Sequence, residues 1–401
     1  MNILFLTLVK INSISSRDIY TDLLREFISE GHRVTIICPI ERREGKKSKA
    51  IQENNSTILH IKTLNIQKAN LIEKGLGTLA IEYQFLNAIK TKLKDTKFDL
   101  VLYATPPITF VKVIEYVKKR DNAFAYLLLK DIFPQNAVDM KMIKEKSILH
   151  KLFQKKEKNL YNISDKIGCM SEANRNYILK HNPYIKPEKV EINPNSIQPI
   201  TFNQTDKERI TIRQKYELPE DSKIFVYGGN LGKPQGLDFL LEILKTNTFE
   251  KVFFLIIGNG TEFNKIKKWF DINQPPRAKL IAGLPKNEYD VLLQACDVGL
   301  IFLHPNFTIP NFPSRLLSYL EMRMPVIAAT DSATDIGIVI EKNNCGFAIQ
   351  SGDLKSFLNA IEIIIKNNHN FNEMKNNAWN LLQNEYLAPQ SFIKIKNALY
   401  V

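Results

Sequence analysis

The sequence predicts an α/β protein made of two doubly wound, Rossmann-like parallel-sheet domains that face each other across a cleft. Short apolar, β-rich runs alternate with helical patterns along the chain. The alternation pauses once, in a proline-bearing stretch, and then restarts. A length of 401 residues is comfortable for two domains and long for one.

In the first half the strands are read at 2–8 (NILFLTL), 33–38, 99–104, 123–129, 166–170 and 189–193. Runs this short and apolar suit strands covered on both faces, with helices as the crossovers. Residues 194–206 (PNSIQPITFNQTD) carry two prolines and no helical period, and they read as the linker. The second half places strands at 223–229, 251–258, 278–284, 297–303, 325–330 and 345–350. Leu237, Leu240, Leu241 and Leu244 follow i, i+3, i+4, i+7, one face of a helix packing on a sheet. The domains are therefore 1–198 and 199–370, with 371–401 expected to cross back to the first.

Composition is that of a folded protein, with 44% hydrophobic and 24% charged residues. No apolar run approaches the roughly 20 residues of a spanning helix. MNILFLTLV lacks the basic flank and cleavage site of a signal peptide and reads as a buried first strand. Cys38, Cys169, Cys296 and Cys345 are too scattered for a zinc site or a disulfide framework, so they read as buried reduced thiols of a cytoplasmic protein. The net charge of +13 is lopsided: residues 1–200 carry 33 Lys+Arg against 21 Asp+Glu, and 201–401 carry 22 against 21. The first half therefore calls for an acidic partner. Nucleic acid is excluded as that partner, because no reader motif with interleaved aromatics accompanies the basicity.

Three stretches carry the chemistry. GGNLGKPQGLDFLLE (228–242) turns from a strand into a helix expected to begin near Gly236. Its backbone amides, the helix start and Lys233 suit an anion, although a plain glycine-rich turn reads the same way. It lacks the serine or threonine that would hold magnesium in a P-loop. In IPNFPSRLLSYLEMRMPVIAATD (309–331), Ser314 is expected to cap a helix whose first turn holds Arg315, bringing hydroxyl, amides and guanidinium together. In LLLKDIFPQNAVDM (127–140), Asp131 follows an apolar strand, where an open sheet presents groups to its ligands. A carboxylate there is placed to accept a proton from a substrate hydroxyl, or else serves as a loop aspartate before Pro134. A fourth stretch, 141–160, sets Ile148, Leu149, Leu152 and Phe153 on one helical side with Lys151, Lys155 and Lys156 nearby. The expectation is that the apolar side packs on the sheet and only the lysines reach an anionic bilayer, helped by the basic loop 41–49.

In order along the chain, GGNLGKPQG, LIIGNGTEF, LIAGLPKNEYDVLLQACDVGLIFL, FPSRLLSYLEMRMPVIA and NNCGFAIQSGD resemble the donor domain of family-4 glycosyltransferases of the GT-B fold. SEGHRVTIICP, KDIFPQNAV, SDKIGCMSEANRNYIL and KVEINPN resemble their acceptor domain. The N-L-G-K-x-Q-G and D-I-F-P segments are similar to a bacterial capsule and O-antigen branch that attaches N-acetyl-L-fucosamine. The resemblance implies a UDP-sugar donor in the second domain, with Gly229, Asn230, Lys233 and Arg315 near the diphosphate and Gly258, Asn259 and Gly260 near the nucleotide. It implies a lipid-linked saccharide acceptor on the first domain, no bound metal and no cofactor; with the residue readings above, Asp131 is the expected catalytic group and the inner face of the cell membrane the expected peripheral location. Two glutamates usual in the family fall here at Pro310 and Ser318, and Glu321, one helical turn later, is the nearest replacement at the ribose. The family is generally retaining, while a base at Asp131 also suits direct inversion. A sugar-nucleotide 2-epimerase of similar architecture is the alternative, although the acid–base set it needs does not assemble from these residues.

Overall fold

The computed structural model describes residues 1–66, 71–200 and 205–400, with side chains of the helix Leu71–Lys92 described from residue 80 onward and at position 77. Residues 201–204 of the expected linker lie outside the described residues. Two compact units emerge: Met1–Gln198 together with Ala388–Val401, and Pro199–Leu387.

The first unit holds β1 (Asn2–Leu6), β2 (Arg33–Glu41), β3 (Lys49–Glu53), β4 (Ser56–Thr63), β5 (Leu100–Ala104), β6 (Phe124–Leu129), β7 (Lys166–Cys169) and β8 (Val190–Ile192). Their order is β3-β4-β2-β1-β5-β6-β7-β8, and every pairing is parallel except β3 with β4. Ile3, Phe5, Ile36, Leu102 and Leu128 are fully covered, as strands flanked by helices on both faces must be. The β3–β4 hairpin falls between the strands read at 33–38 and 99–104, where the sequence analysis places none. KAIQE is a short, polar edge strand, and its alternation is too brief to read. Within 41–49, Arg43 pairs with Glu41 at 2.8 Å and Glu44 pairs with Lys10, so this stretch is partly neutralised.

The second unit holds β9 (Lys223–Asn230), β10 (Val252–Asn259), β11 (Ala278–Ala282), β12 (Val298–Phe302), β13 (Val326–Thr330) and β14 (Gly346–Gln350). All are parallel, ordered β11-β10-β9-β12-β13-β14. Strand order reverses at β9, so the carboxyl end of β9 borders the crevice where such sheets take ligands. Phe239, Leu240, Ile243 and Leu244 of the following helix fill the core beneath it.

The expected return of 371–401 needs correction. Helix Asn368–Glu385 stays with the second unit, held by buried Phe371, Ala378, Leu381 and Leu382 and by Arg323 over the Trp379 ring at 4.9 Å. Only helix Ala388–Ala398 joins the first unit, where Phe392 meets Phe27 edge-on at 4.8 Å and Ser391 Oγ donates to Asn193 Oδ1 at 2.7 Å.

Candidate functional site

In the second unit, parallel register sets Gly229 opposite Gly258 and Asn230 opposite Asn259 at the carboxyl ends of β9 and β10. These glycines have a packing reason. A Cβ on Gly258 would sit 1.8 Å from the Gly229 carbonyl oxygen, and one on Gly260 2.2 Å from that of Leu231. Only glycine lets the two loops approach this closely. The loop after β9 is pinned by Leu231 N to Asn259 O at 2.8 Å and by Glu262 N to Leu231 O at 2.9 Å. Gln235 Oε1 accepts from both Asn230 Nδ2 and Gly232 N, each at 3.2 Å. Asn230, Asn259 and Gly260 remain exposed at this rim.

Gly229 has φ +124°, outside the range an L side chain favours, and its nearest neighbour is the Arg315 guanidinium, with Cζ 3.5 Å from where a Cβ would stand. That guanidinium lies over the Tyr227 ring at 4.3 Å from its centroid. Its Nη1 is buried and has no hydrogen-bond partner. A buried cationic donor without an acceptor, at the switch point of a parallel sheet, fits an anionic oxygen.

Tyrosines build the seat. Tyr227 donates its hydroxyl to Asn230 O at 2.7 Å, and Tyr319 accepts from Gly228 N and donates to Leu300 O, both at 3.1 Å. Tyr289 lies so close that a Cβ on Gly228 would fall 2.0 Å from its hydroxyl. Burial pushes Tyr319 up to about 12 and Tyr289 well above its usual value, so both stay neutral beside the arginine. The sequence reading missed all three. Tyr227 inside a β-run reads as core, as do Tyr289 and Tyr319 within amphipathic helices, and the one available signal is Tyr227 directly before the glycine pair.

Several expectations change here. The helix after the loop begins at Asp238, not Gly236, because Lys233–Gln235 form a 3₁₀ turn and Gly236 takes a left-handed conformation. Its first turn carries Asp238, which weakens it as an anion seat. Lys233 is exposed on the 3₁₀ turn. Ser314 does not cap: its backbone is helical (φ −63°, ψ −18°), so the exposed hydroxyl makes no bond to the first-turn amides. Ser318 is half-buried one turn beyond Arg315. Glu321 is displaced altogether. It is 3% exposed, accepts the Ile200 amide at 2.7 Å and borders a hollow with Cys296 and Asp297, which precede β12, at the opposite end of the sheet from Gly229. It is a structural clasp and does not stand at a ribose.

In the first unit, Asp131 follows β6 at the carboxyl edge of the sheet. Thr105, just after β5, accepts from Lys130 N (3.0 Å) and Asp131 N (3.2 Å) and donates to Asp131 O (3.1 Å). Asn136 Nδ2 donates to Asp131 Oδ2 at 2.6 Å and fixes the carboxylate. Burial pushes Asp131 up to about 6 and Lys130 down to about 7. An aspartate with a pKa near 6 is ionised at neutral pH yet basic enough to take a proton. Activity is expected to fall about tenfold per pH unit below pH 6, as the carboxyl protonates. A pH–rate profile flat down to pH 5 would remove Asp131 from proton transfer.

The lysine expectations divide. Lys151 and Lys155 are exposed, whereas Lys156 pairs with Glu82 at 3.3 Å, so it is occupied within the unit. Packing of the apolar side inward is overturned. Phe153 does pack, edge-on to Phe133 at 5.0 Å, but Ile148, Leu149 and Leu152 are exposed. Among the described residues no helix is long and apolar enough to cross a membrane.

Two parallel-sheet α/β units, one with a cationic donor at a strand-order switch, define a fold of the GT-B class, and known proteins agree on the fold. Sucrose-phosphate synthase from Thermosynechococcus elongatus superposes with a TM-score of 0.75 at 13% identity, covering 99% of this chain and 97% of that one. Anabaena HepE, solved in complex with UDP and glucose, gives 0.72 at 14% identity, covering 100% and 99%. Residues 19–199 match Glycosyltransferase Family 4, and residues 208–380 match Glycosyl transferases group 1. The chain belongs to the glycosyltransferases, with a family 4 domain followed by a group 1 domain. Among curated relatives, the probable glycosyltransferase WbjE of Pseudomonas aeruginosa is 25% identical over 71% of this chain and 70% of its own length. The UDP-Gal:alpha-D-GlcNAc-diphosphoundecaprenol alpha-1,3-galactosyltransferase of Escherichia coli is 24% identical over 58% and 59%.

Proposed function

We propose that this glycosyltransferase moves an N-acetylated deoxyhexosamine, N-acetyl-L-fucosamine, from UDP to a polyprenyl-diphosphate-linked saccharide during capsule or O-antigen synthesis, on the inner face of the cell membrane. The observation that carries the reading is the unpartnered, buried Arg315 Nη1 beside Gly229. A diphosphate oxygen there gains a charge-assisted hydrogen bond, and the bond strengthens as the glycosidic bond breaks and negative charge gathers on the leaving group. Lys233 reaches the same anion from the solvent side. Gly258, Asn259 and Gly260 line the way to the nucleotide. In this scheme the chain's own cations neutralise the leaving group, and turnover is expected to continue in EDTA.

Asp131 takes the acceptor hydroxyl's proton as that oxygen attacks the anomeric carbon and UDP leaves. Support for a UDP donor comes from the UDP carried by the HepE structure and named for the galactosyltransferase, and support for a lipid-diphosphate acceptor from the latter's name. The sugar itself rests on the N-L-G-K-x-Q-G and D-I-F-P segments. Calorimetric titration with UDP, GDP, ADP and CMP tests the nucleotide, with UDP expected to bind tightest. Equal or absent binding of all four would overturn the donor assignment.

A further inference from the structure

Four large apolar side chains are exposed within residues 142–152 of the first unit: Ile148 is 90% exposed, Met142 65%, Leu149 49% and Leu152 42%. Isolated exposed apolar residues are ordinary, but a cluster on one short stretch is not. The helix Ile148–Ile163 explains the arrangement. It buries His150, Leu160 and Tyr161 against the unit, and Ile148, Leu149 and Leu152 at its N-terminal end are exposed.

The stretch before it is firmly built. Met142 N donates to Ala137 O at 2.8 Å, Lys146 N to His150 Nδ1 at 3.0 Å, and Ser147 Oγ caps the helix by accepting from His150 N at 3.2 Å. Lys141 (φ 57°) and Lys146 (φ 60°) both take left-handed backbone, disfavoured for lysine, at either side of Met142 and the residues after it. The apolar tip is therefore displayed by a defined turn.

Charge identifies what it meets. Along residues 141–155, Lys141, Lys144, Lys146, Lys151 and Lys155 are all exposed, against a single exposed acid of that stretch, Glu145. Lysine stems lie along apolar surface while their ammonium groups reach outward, the arrangement that suits acyl chains below and anionic headgroups above. A second copy of the chain would bring like charges together, and a neutral apolar partner would leave the lysines unanswered.

We infer that Met142, Ile148, Leu149 and Leu152 form a wedge that inserts into an anionic lipid bilayer, with these lysines contacting the headgroups. Insertion, rather than charge alone, holds the protein there. The wedge connects directly to the acceptor side: Phe153, one residue past Leu152, packs on Phe133, two residues past Asp131. This inference rests on the lipid-linked acceptor reading, because the wedge would hold the Asp131 loop close to where such an acceptor emerges.

Sedimentation of the full chain with phosphatidylcholine vesicles, with and without phosphatidylglycerol, tests it. The variant M142S/I148S/L152S is expected to bind anionic vesicles at least about tenfold more weakly than wild type, with melting temperature and UDP affinity unchanged. The variant K151E/K155E should lose binding mainly at low salt, and wild type should stay partly bound when salt is high. Wild-type binding by the serine variant would overturn the wedge, as would complete release of wild type by salt. A concentration-dependent dimer that the serine substitutions dissolve would overturn it too, since a second copy would then cover the tip. The transferase reading fails separately. The serine variant should keep wild-type transfer to a water-soluble acceptor while losing transfer to a vesicle-borne one. Absence of transfer by wild type to either acceptor would strike the transferase reading, not the wedge.

Discussion

Asp131→Asn is expected to give a protein that is more stable and far less active. The activity loss follows from the role: asparagine keeps the shape and the Asn136 contact but takes no proton, and general-base help is worth about 10²–10⁴-fold in kcat. The stability gain follows from burial. The carboxyl is pushed from its ordinary value up to about 6, so the folded state binds the proton more tightly than the unfolded chain does. Stability from this group is fully present below the unfolded value near 4 and is lost as pH rises through about 6. Above that, the ionised carboxylate costs about 2–3 kcal/mol, which the neutral asparagine avoids. Thermal melts should therefore place the variant above wild type at pH 8, with the gap closing toward pH 4. A carboxylate kept for structure alone would show the reverse. If Asp131 only orients the acceptor, the variant should raise the acceptor KM and retain much of kcat. Near-wild-type turnover at saturating acceptor would exclude the base.

Arg315→Ala is expected to weaken UDP binding by about 1.5–3 kcal/mol, because a charged hydrogen bond in a buried seat is lost. Lys233→Ala should cost less, within about 1 kcal/mol, since an exposed ammonium is well screened. Tyr227 tests the seat itself. Tyr227→Leu removes the ring beneath the guanidinium, a contact of about 0.5–2 kcal/mol. Combined with Arg315→Ala, it should add less than its separate effect, because the ring then has no cation to hold. Tyr227→Phe keeps the ring and loses only the hydroxyl bond to Asn230 O, so its effect should be smaller than that of Tyr227→Leu. Calorimetry with UDP measures all of these, and unchanged affinity in Arg315→Ala would remove the arginine from the site.

The contrast between these residues shows what sequence patterning carries. Strand–helix alternation fixes which ends of β6 and β9 carry Asp131 and Gly229, because in a parallel sheet every carboxyl end lies on the same edge. It does not fix how far a helix carries a residue from that edge. Glu321 lies six positions past Arg315, about 9 Å along a helix at 1.5 Å per residue, and so it reaches the opposite edge of the sheet. Periodicity likewise puts Ile148, Leu149 and Leu152 on one side but does not say whether a sheet lies under that side. In the structure all three are exposed. The partners of Asp131 were partly legible. Asn136 stands five residues beyond it in the same motif, whereas Thr105 follows a neighbouring strand and becomes visible only once β5 pairs with β6.

The central claim is sugar transfer from a UDP donor to a lipid-linked acceptor, and mass spectrometry of a single reaction tests it most directly. The protein would be incubated with UDP-N-acetyl-L-fucosamine and a polyprenyl-diphosphate-linked monosaccharide, and both the lipid and the nucleotide would be followed. The lipid is expected to gain one deoxy-N-acetylhexosamine residue for each UDP released, in EDTA as well as without it. An epimerised UDP-sugar with the lipid unchanged, or a donor that survives intact, would contradict the account.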